Sequence, residues 1–197
     1  VTEDIAALLD EVRACTVCAA HLPLGPRPVL HISATARLLI ASQAPGTKVH
    51  HAGISFWDNS GDRLRGWLGM DKAVFYDEQR VAILPMGMCY PGRLPNGGDA
   101  PPRPECAPLW RARILAAMPA LRLTLLVGSY AQAAAAREEG WPVARMGDRV
   151  RDFARYLPRY FPLPHPSWRT GAWERANPWF QAEVIPALRT AVAQALR

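Results

Sequence analysis

Lysine is almost missing from this chain: Lys48 and Lys72 are the only two in 197 residues. Neither sits in a motif that recruits an amine to catalysis, so Schiff-base chemistry is not expected. No uninterrupted apolar run reaches the roughly 18 residues that a membrane span needs, and no membrane partner is expected. The segment VTEDIAALLDEVRAC is acidic and amphipathic, the opposite of a basic then apolar signal peptide. Glycine repeats of the nucleotide-binding kind are missing, and no serine stands at the apex of a strand–helix turn. Internal repeats and low-complexity tracts are missing too. The missing span and signal peptide point to a soluble, intracellular protein of the bacterial cytoplasmic type; a monomer is expected.

Arginine supplies nearly all the positive charge behind a formal net charge of +6 and a sequence pI of about 9.5. The guanidinium fork matches phosphate oxygens, so a polyanionic partner is one explanation. A GC-rich genome that favours arginine is the other, and composition does not separate them. The length suits a single domain over residues 1–197 with a core large enough to need no staples. The 19 prolines cluster in loops, which suggests rigid connections around a site.

Thr2 is placed to cap a first helix, whose apolar positions Ile5, Leu8, Leu9 and Val12 follow helical spacing and which ends near Cys15. Four short apolar runs read as buried strands: 37–41 (RLLIA), 80–84 (RVAIL), 121–129 (LRLTLLVGS) and 159–163 (RYFPL). Helices are expected over 61–70, 108–118, 130–139, 150–156 and 178–196, the last kinked at Pro186. Alternation of strands and helices predicts an α/β class: a single-domain, three-layer α/β/α fold around a central four-stranded, mainly parallel sheet. Ligands of such sheets bind beyond the carboxyl ends of the strands. Three suggestive segments fall at that edge: QAPG, PMGMCYPG and HPSW.

Cys15 and Cys18 form a CxxC pair, and Cys89 and Cys106 follow far downstream. Four cysteines in an intracellular chain favour a metal centre over structural disulfides. Four thiolates suit a tetrahedral zinc or a [4Fe–4S] cluster, and spacing alone leaves both open.

The S-Q-A-P-G turn after the first strand, Phe56 beyond it and the late H-P-S turn together resemble the uracil-DNA glycosylase superfamily. The order of the four cysteines resembles its iron–sulfur branches, which favours [4Fe–4S] over zinc. The resemblance implies a DNA repair glycosylase. It would flip uracil or a related deaminated base out of DNA, hydrolyse the glycosidic bond and leave an abasic site. By the same resemblance, His165 donates a hydrogen bond to the departing base, Phe56 stacks on it, and Gln43 and Ala44 meet its edge through the backbone. Pro45, Gly46, Ser167 and Arg169 would contact the DNA backbone, and Cys15, Cys18, Cys89 and Cys106 would hold the cluster.

The sequence also departs from the family pattern. The best-known branch carries a water-orienting Asp where Ala44 stands, and a tyrosine that excludes 5-methylated bases where Gly46 stands. A pyrimidine-reading Asn of the family has Pro85 as its nearest match. The search for the water-positioning group therefore moves to Asp58 in FWDNSGD, whose alternative role is to cap the helix that follows. His50 and His51, read as a loop near the pocket mouth, are second candidates. Arg93 and Arg103, in the loop between the third and fourth cysteines, would face DNA phosphates. Loss of the carboxylate at Ala44 leaves an alternative: a weak or inactive damaged-DNA-binding protein of the same fold.

Overall fold

A computed structural model describes residues 4–95 and 97–197. Four strands, β1 (Leu38–Ser42), β2 (Val81–Pro85), β3 (Leu123–Val127) and β4 (Tyr160–Leu163), form one sheet in the order β2-β1-β3-β4. All three pairings are parallel, with Leu38 beside both Val81 and Leu123, and Thr124 beside Tyr160. Every strand residue is buried, as expected of strands covered on both faces.

Alternation along the strands sorts the core into two layers. Leu38, Ile40, Val81, Ile83, Leu123, Leu125, Val127, Phe161 and Leu163 face one side. There they meet Leu64, Trp67 and Leu68 of α3 (Asn59–Leu68) and Leu188 and Val192 of α9 (Ile185–Ala195). Leu39, Ala82 and Leu84 face the other side, against Leu8 and Val12 of α1 (Ile5–Arg13) and Trp110 and Ile114 of α5 (Cys106–Ala116). Ala41 and Leu126 turn the same way, against the alanine face of α6 (Ser129–Glu138). Burying one such aliphatic side chain stabilises the fold by roughly 1.5–3 kcal/mol. The result is the three-layer α/β/α arrangement around a parallel sheet.

Thr2 lies outside the described residues; Asp4 stands at the N-cap of α1, its carboxylate accepting from the Ala6 N–H at 3.0 Å. Residues 47–52 are a helix, α2 (Thr47–Ala52), where a loop was expected. Gly46 precedes it and Gly53, at φ 69°, ends it in a left-handed turn. Two more short helices, α4 (Lys72–Phe75) and α8 (Thr170–Ala176), lie where the periodicity gave no helix. The helix expected over 150–156 divides into α7 (Met146–Arg151) and a 3₁₀ turn at Phe153–Tyr156. The long helix expected over 178–196 is present, and its irregularity falls beside Pro186. That proline lies inside a helical run that is continuous from 179 to 195 and that is π-helical at Phe180–Val184, just before it; its missing N–H removes one backbone bond.

Sheet order places β2 and β3 on opposite sides of β1. The chain thus reverses direction across the sheet beside β1, and the carboxyl edge there opens as a crevice.

Candidate active site

The end of β1 delivers Ser42, Gln43 and Ala44 to that crevice. Met86 N–H donates to the Ser42 carbonyl at 2.8 Å, and Gly87 N–H donates to the Gln43 carbonyl at 3.0 Å. Gln43 Nε2 donates to the Ala100 carbonyl at 3.2 Å. This ties the motif to a hairpin closed by the Arg93–Asp99 antiparallel bridge and by Leu94 N–H to the Gly98 carbonyl at 2.7 Å.

A cavity of about 410 Å³ opens here, within the usual range for a small-ligand site. Eleven of the expected residues line it: Gln43, Ala44, Pro45, Gly46, Phe56, Asp58, Pro85, Arg93, His165, Ser167 and Arg169. His50 and Arg103 do not belong to its lining. His50 is buried on α2 with its ring 6.1 Å from Tyr90, because helical phase turns it inward. His51 is exposed, and its carbonyl accepts from Arg27 Nη1 at 3.2 Å. Arg103 turns to the cysteines instead, its Nη2 2.6 Å from Glu105 Oε1.

Phe56 is the one non-glycine with a positive φ among the described residues, at 55°. Such a backbone costs roughly 1–3 kcal/mol and persists only where the surroundings hold it. Here they do. The Tyr76 hydroxyl donates to the Phe56 carbonyl at 3.1 Å, and Arg65 Nη1 donates to the Tyr76 oxygen at 3.2 Å. Arg65 is itself buried, paired with Asp62, and its guanidinium lies 5.4 Å from the centre of the Phe75 ring. Phe75 meets Phe56 edge to face at 6.2 Å. The Phe56 ring is thus both core and cavity floor.

Asp58 occupies the N-cap of α3, and its Oδ1 accepts from Gly61 N–H at 2.9 Å. Capping and cavity lining are therefore combined in one carboxylate. The cap moves the start of the helix to Asn59, ahead of the expected residue 61.

His165 follows β4 and is held from several sides. The Thr170 hydroxyl donates to its carbonyl, and Arg63 Nη1 donates to the Ser167 carbonyl at 3.1 Å. Arg63 is in turn paired with Glu174 of α8. Behind the ring, Gln132 Nε2 donates to the Leu163 carbonyl at 3.0 Å. Gly128 leaves room there: a Cβ on it would lie 3.3 Å from His165 Cβ. Burial pushes the imidazole below the usual histidine range, while the negative charges of Asp58 and Asp99 act in the other direction. The neutral imidazole thus prevails at pH 7, a hydrogen-bond donor that carries no charge.

Burial also lowers His31 and His50. All three histidines bind protons more readily unfolded, where the ordinary value is about 6.5. Their contribution to stability is therefore complete above that value and lost as pH falls below it. Thermal unfolding followed from pH 7 to pH 5 should show a falling Tm, and a flat profile would contradict these burials.

Two exposed apolar side chains at the rim were given no role from sequence: Trp168, 81% exposed, and Leu94, 40% exposed. HPSW contained the first signal, an aromatic beside the histidine turn. Arg93 and Arg169 supply positive charge at the same rim. Asp99 also lines the cavity and was missed, because only closure of the hairpin brings it there.

A second, narrower cavity is lined by all four cysteines together with Val12, Leu22, Met88 and Trp110. All four thiols are free and half-buried. Burial pushes Cys18 and Cys89 up, and Cys106 up to about 11. Met88 N–H donates to Cys106 Sγ at 3.4 Å. Among the described residues, no three His, Cys, Asp or Glu side chains close on a point that would hold a single metal ion. No helix among the described residues is long and apolar enough to cross a membrane.

Comparison with known families gives a match to the model described as the uracil DNA glycosylase superfamily, over residues 31–189. The match takes in the whole sheet, the crevice, Cys89 and Cys106, and begins after Cys15 and Cys18.

Proposed function

Because this chain belongs to the uracil DNA glycosylase superfamily, whose members are DNA glycosylases, we propose that it removes uracil or a related deaminated base from DNA as a monofunctional hydrolase. The observation that carries this reading is the pairing of His165 with the Gln43–Gly46 turn across one cavity floored by Phe56. A base can reach such a pocket only by leaving the stack. Phe56 would lie against its ring, and the backbone at Gln43 and Ala44 would meet its edge.

Breaking the glycosidic bond leaves negative charge on the base and positive charge on the sugar. His165, neutral and fixed in place, donates to the base oxygen on which that charge gathers. Asp58 faces the same space, and the oxygen not engaged by Gly61 N–H is the one left to hold water. Arg93, Arg169 and Ser167 would bind phosphates, and the exposed Trp168 would fill the gap left in the stack. Such work on cellular DNA agrees with a cytoplasmic protein acting at the nucleoid.

For the cysteine cavity we favour a [4Fe–4S] cluster held by Cys15, Cys18, Cys89 and Cys106. Around zinc, four sulfurs would each lie about 2.3 Å from one ion. The four thiols share one cavity, and the preference for the larger group rests on the order of the cysteines along the chain. The cluster would pin α1 and the start of α5 to the loop after β2, a structural task. Replacing Cys89 with alanine is then expected to remove visible absorbance and bound iron and to lower Tm in the same variant. A colourless variant as stable as the parent would contradict that role.

Ala44 favours one second reading, a protein of this family that binds damaged DNA without turnover, since a methyl group cannot orient water. Oligonucleotides carrying uracil, hypoxanthine, xanthine or 5-substituted uracils, single- and double-stranded, separate the two. Alkali-labile sites on any of them support the glycosylase, and tight binding with none supports the second reading.

A further inference from the structure

The pocket contains a carboxylate that the family motifs did not indicate. Asp99 stands on the returning arm of the hairpin whose bridge it forms with Arg93. That arm is fixed by Gln43 Nε2 on the Ala100 carbonyl and by Ala100 N–H on the Gly92 carbonyl at 2.9 Å. Asp99 lines the cavity together with Ala44, Gly46 and His165. Its Oδ2 lies 3.8 Å from the place a Cβ on Gly46 would take. A large side chain at position 46 would occupy the space this carboxylate uses.

We infer that Asp99 is a catalytic base of this pocket, taking the proton of the attacking water, and that Gly46 is glycine in order to admit it. The inference rests on the glycosylase reading. Three observations carry it. Ala44 leaves the crevice without the motif's own carboxylate. Asp58 is partly engaged, its Oδ1 taken by Gly61 N–H, whereas no hydrogen bond or ion pair from a described residue reaches the Asp99 carboxylate. And a negative side chain among Arg93 and Arg169 works against holding DNA, so its place there needs another reason. Its field also reaches the His165 imidazole.

In the step, the water oxygen bonds to the sugar C1′ as the C1′–N bond breaks, and the bonding pair leaves with the base. The water proton passes to the Asp99 carboxylate. The base anion, hydrogen-bonded to His165, takes a proton from solvent, and Asp99 returns its own to solvent. Asp58 holds the water and its charge faces the cationic sugar.

Single-turnover release of uracil, DNA affinity and Tm should be measured for the parent, Asp99→Asn and Gly46→Tyr. Asp99→Asn is expected to slow release by about 10²-fold or more. Affinity for DNA should stay level or tighten, because a negative charge has gone, and Tm should not move. Gly46→Tyr should slow release as well, by displacing the carboxylate. A parent that releases uracil beside an Asp99→Asn variant that keeps its rate overturns the inference alone. Weaker DNA binding with an unchanged chemical step would also overturn it. A parent that releases no base overturns the glycosylase reading and this inference with it.

Discussion

Replacing His165 with alanine is expected to slow base release by about 10²–10³-fold, the usual loss when a fixed donor to a developing anion is removed. The donor is fixed before substrate arrives. Its carbonyl is held by the Thr170 hydroxyl, its turn by Arg63 on Ser167, and the strand behind it by Gln132 on Leu163. None of these bonds uses the imidazole, so the turn should survive the substitution. DNA affinity should therefore change little while the chemical step collapses. Single-turnover kinetics at saturating protein separate the two quantities. A variant that binds and releases base at the parent rate would remove His165 from the reaction. Because burial keeps the ring neutral at pH 7, the parent's advantage over the variant should persist from pH 7 upward.

Gly61→Ala is the stability counterpart. A Cβ there would lie 1.7 Å from the Phe56 carbonyl oxygen and 2.7 Å from its carbon. The obstacle is backbone, so no side-chain rotation relieves it, and the first turn of α3 must move away. The same carbonyl accepts from Tyr76, and the Gly61 N–H donates to the Asp58 cap. One methyl group thus strains the cap, worth about 1 kcal/mol, and a buried hydrogen bond of similar worth. It also disturbs the left-handed backbone that sets Phe56 in the cavity floor. A loss of about 3 kcal/mol or more in urea unfolding is expected, at the severe end for one substitution. Base release should fall with it. Gly66→Ala on the same helix is the control, since nothing lies within 4 Å of its Cβ. It should be neutral or gain about 0.5–1 kcal/mol. Equal stability of the two variants would contradict the close approach at Phe56.

The four strands were legible because each is a short apolar run buried on both faces, and each differs from expectation mainly at its ends. Helices with a wide apolar stripe, such as α3 and α9, were legible for the same reason. Those of one or two turns were not. In α2, a glycine at each end defines six residues whose composition resembles a loop. The site followed a similar division. The SQAPG and HPS turns were readable because strand ends in a parallel sheet converge on one crevice, whereas Phe56 and Asp58, which lie beyond α2, were reached through the family resemblance. His50 was misplaced because helical phase, invisible in a segment read as loop, turns it toward Tyr90. Arg103 was expected at the DNA and lies at the cysteines, since Glu105 two residues on draws its guanidinium there. Asp99 needed the hairpin to close over Gly46, a contact between segments far apart in sequence that no local pattern encodes.

Mass spectrometry of the products from a single-uracil oligonucleotide tests the central claim most directly. The prediction is free uracil and an unbroken strand with an abasic site in equal amounts, with strand scission only after alkali. Protein that binds the oligonucleotide yet leaves its glycosidic bond intact would contradict the claim.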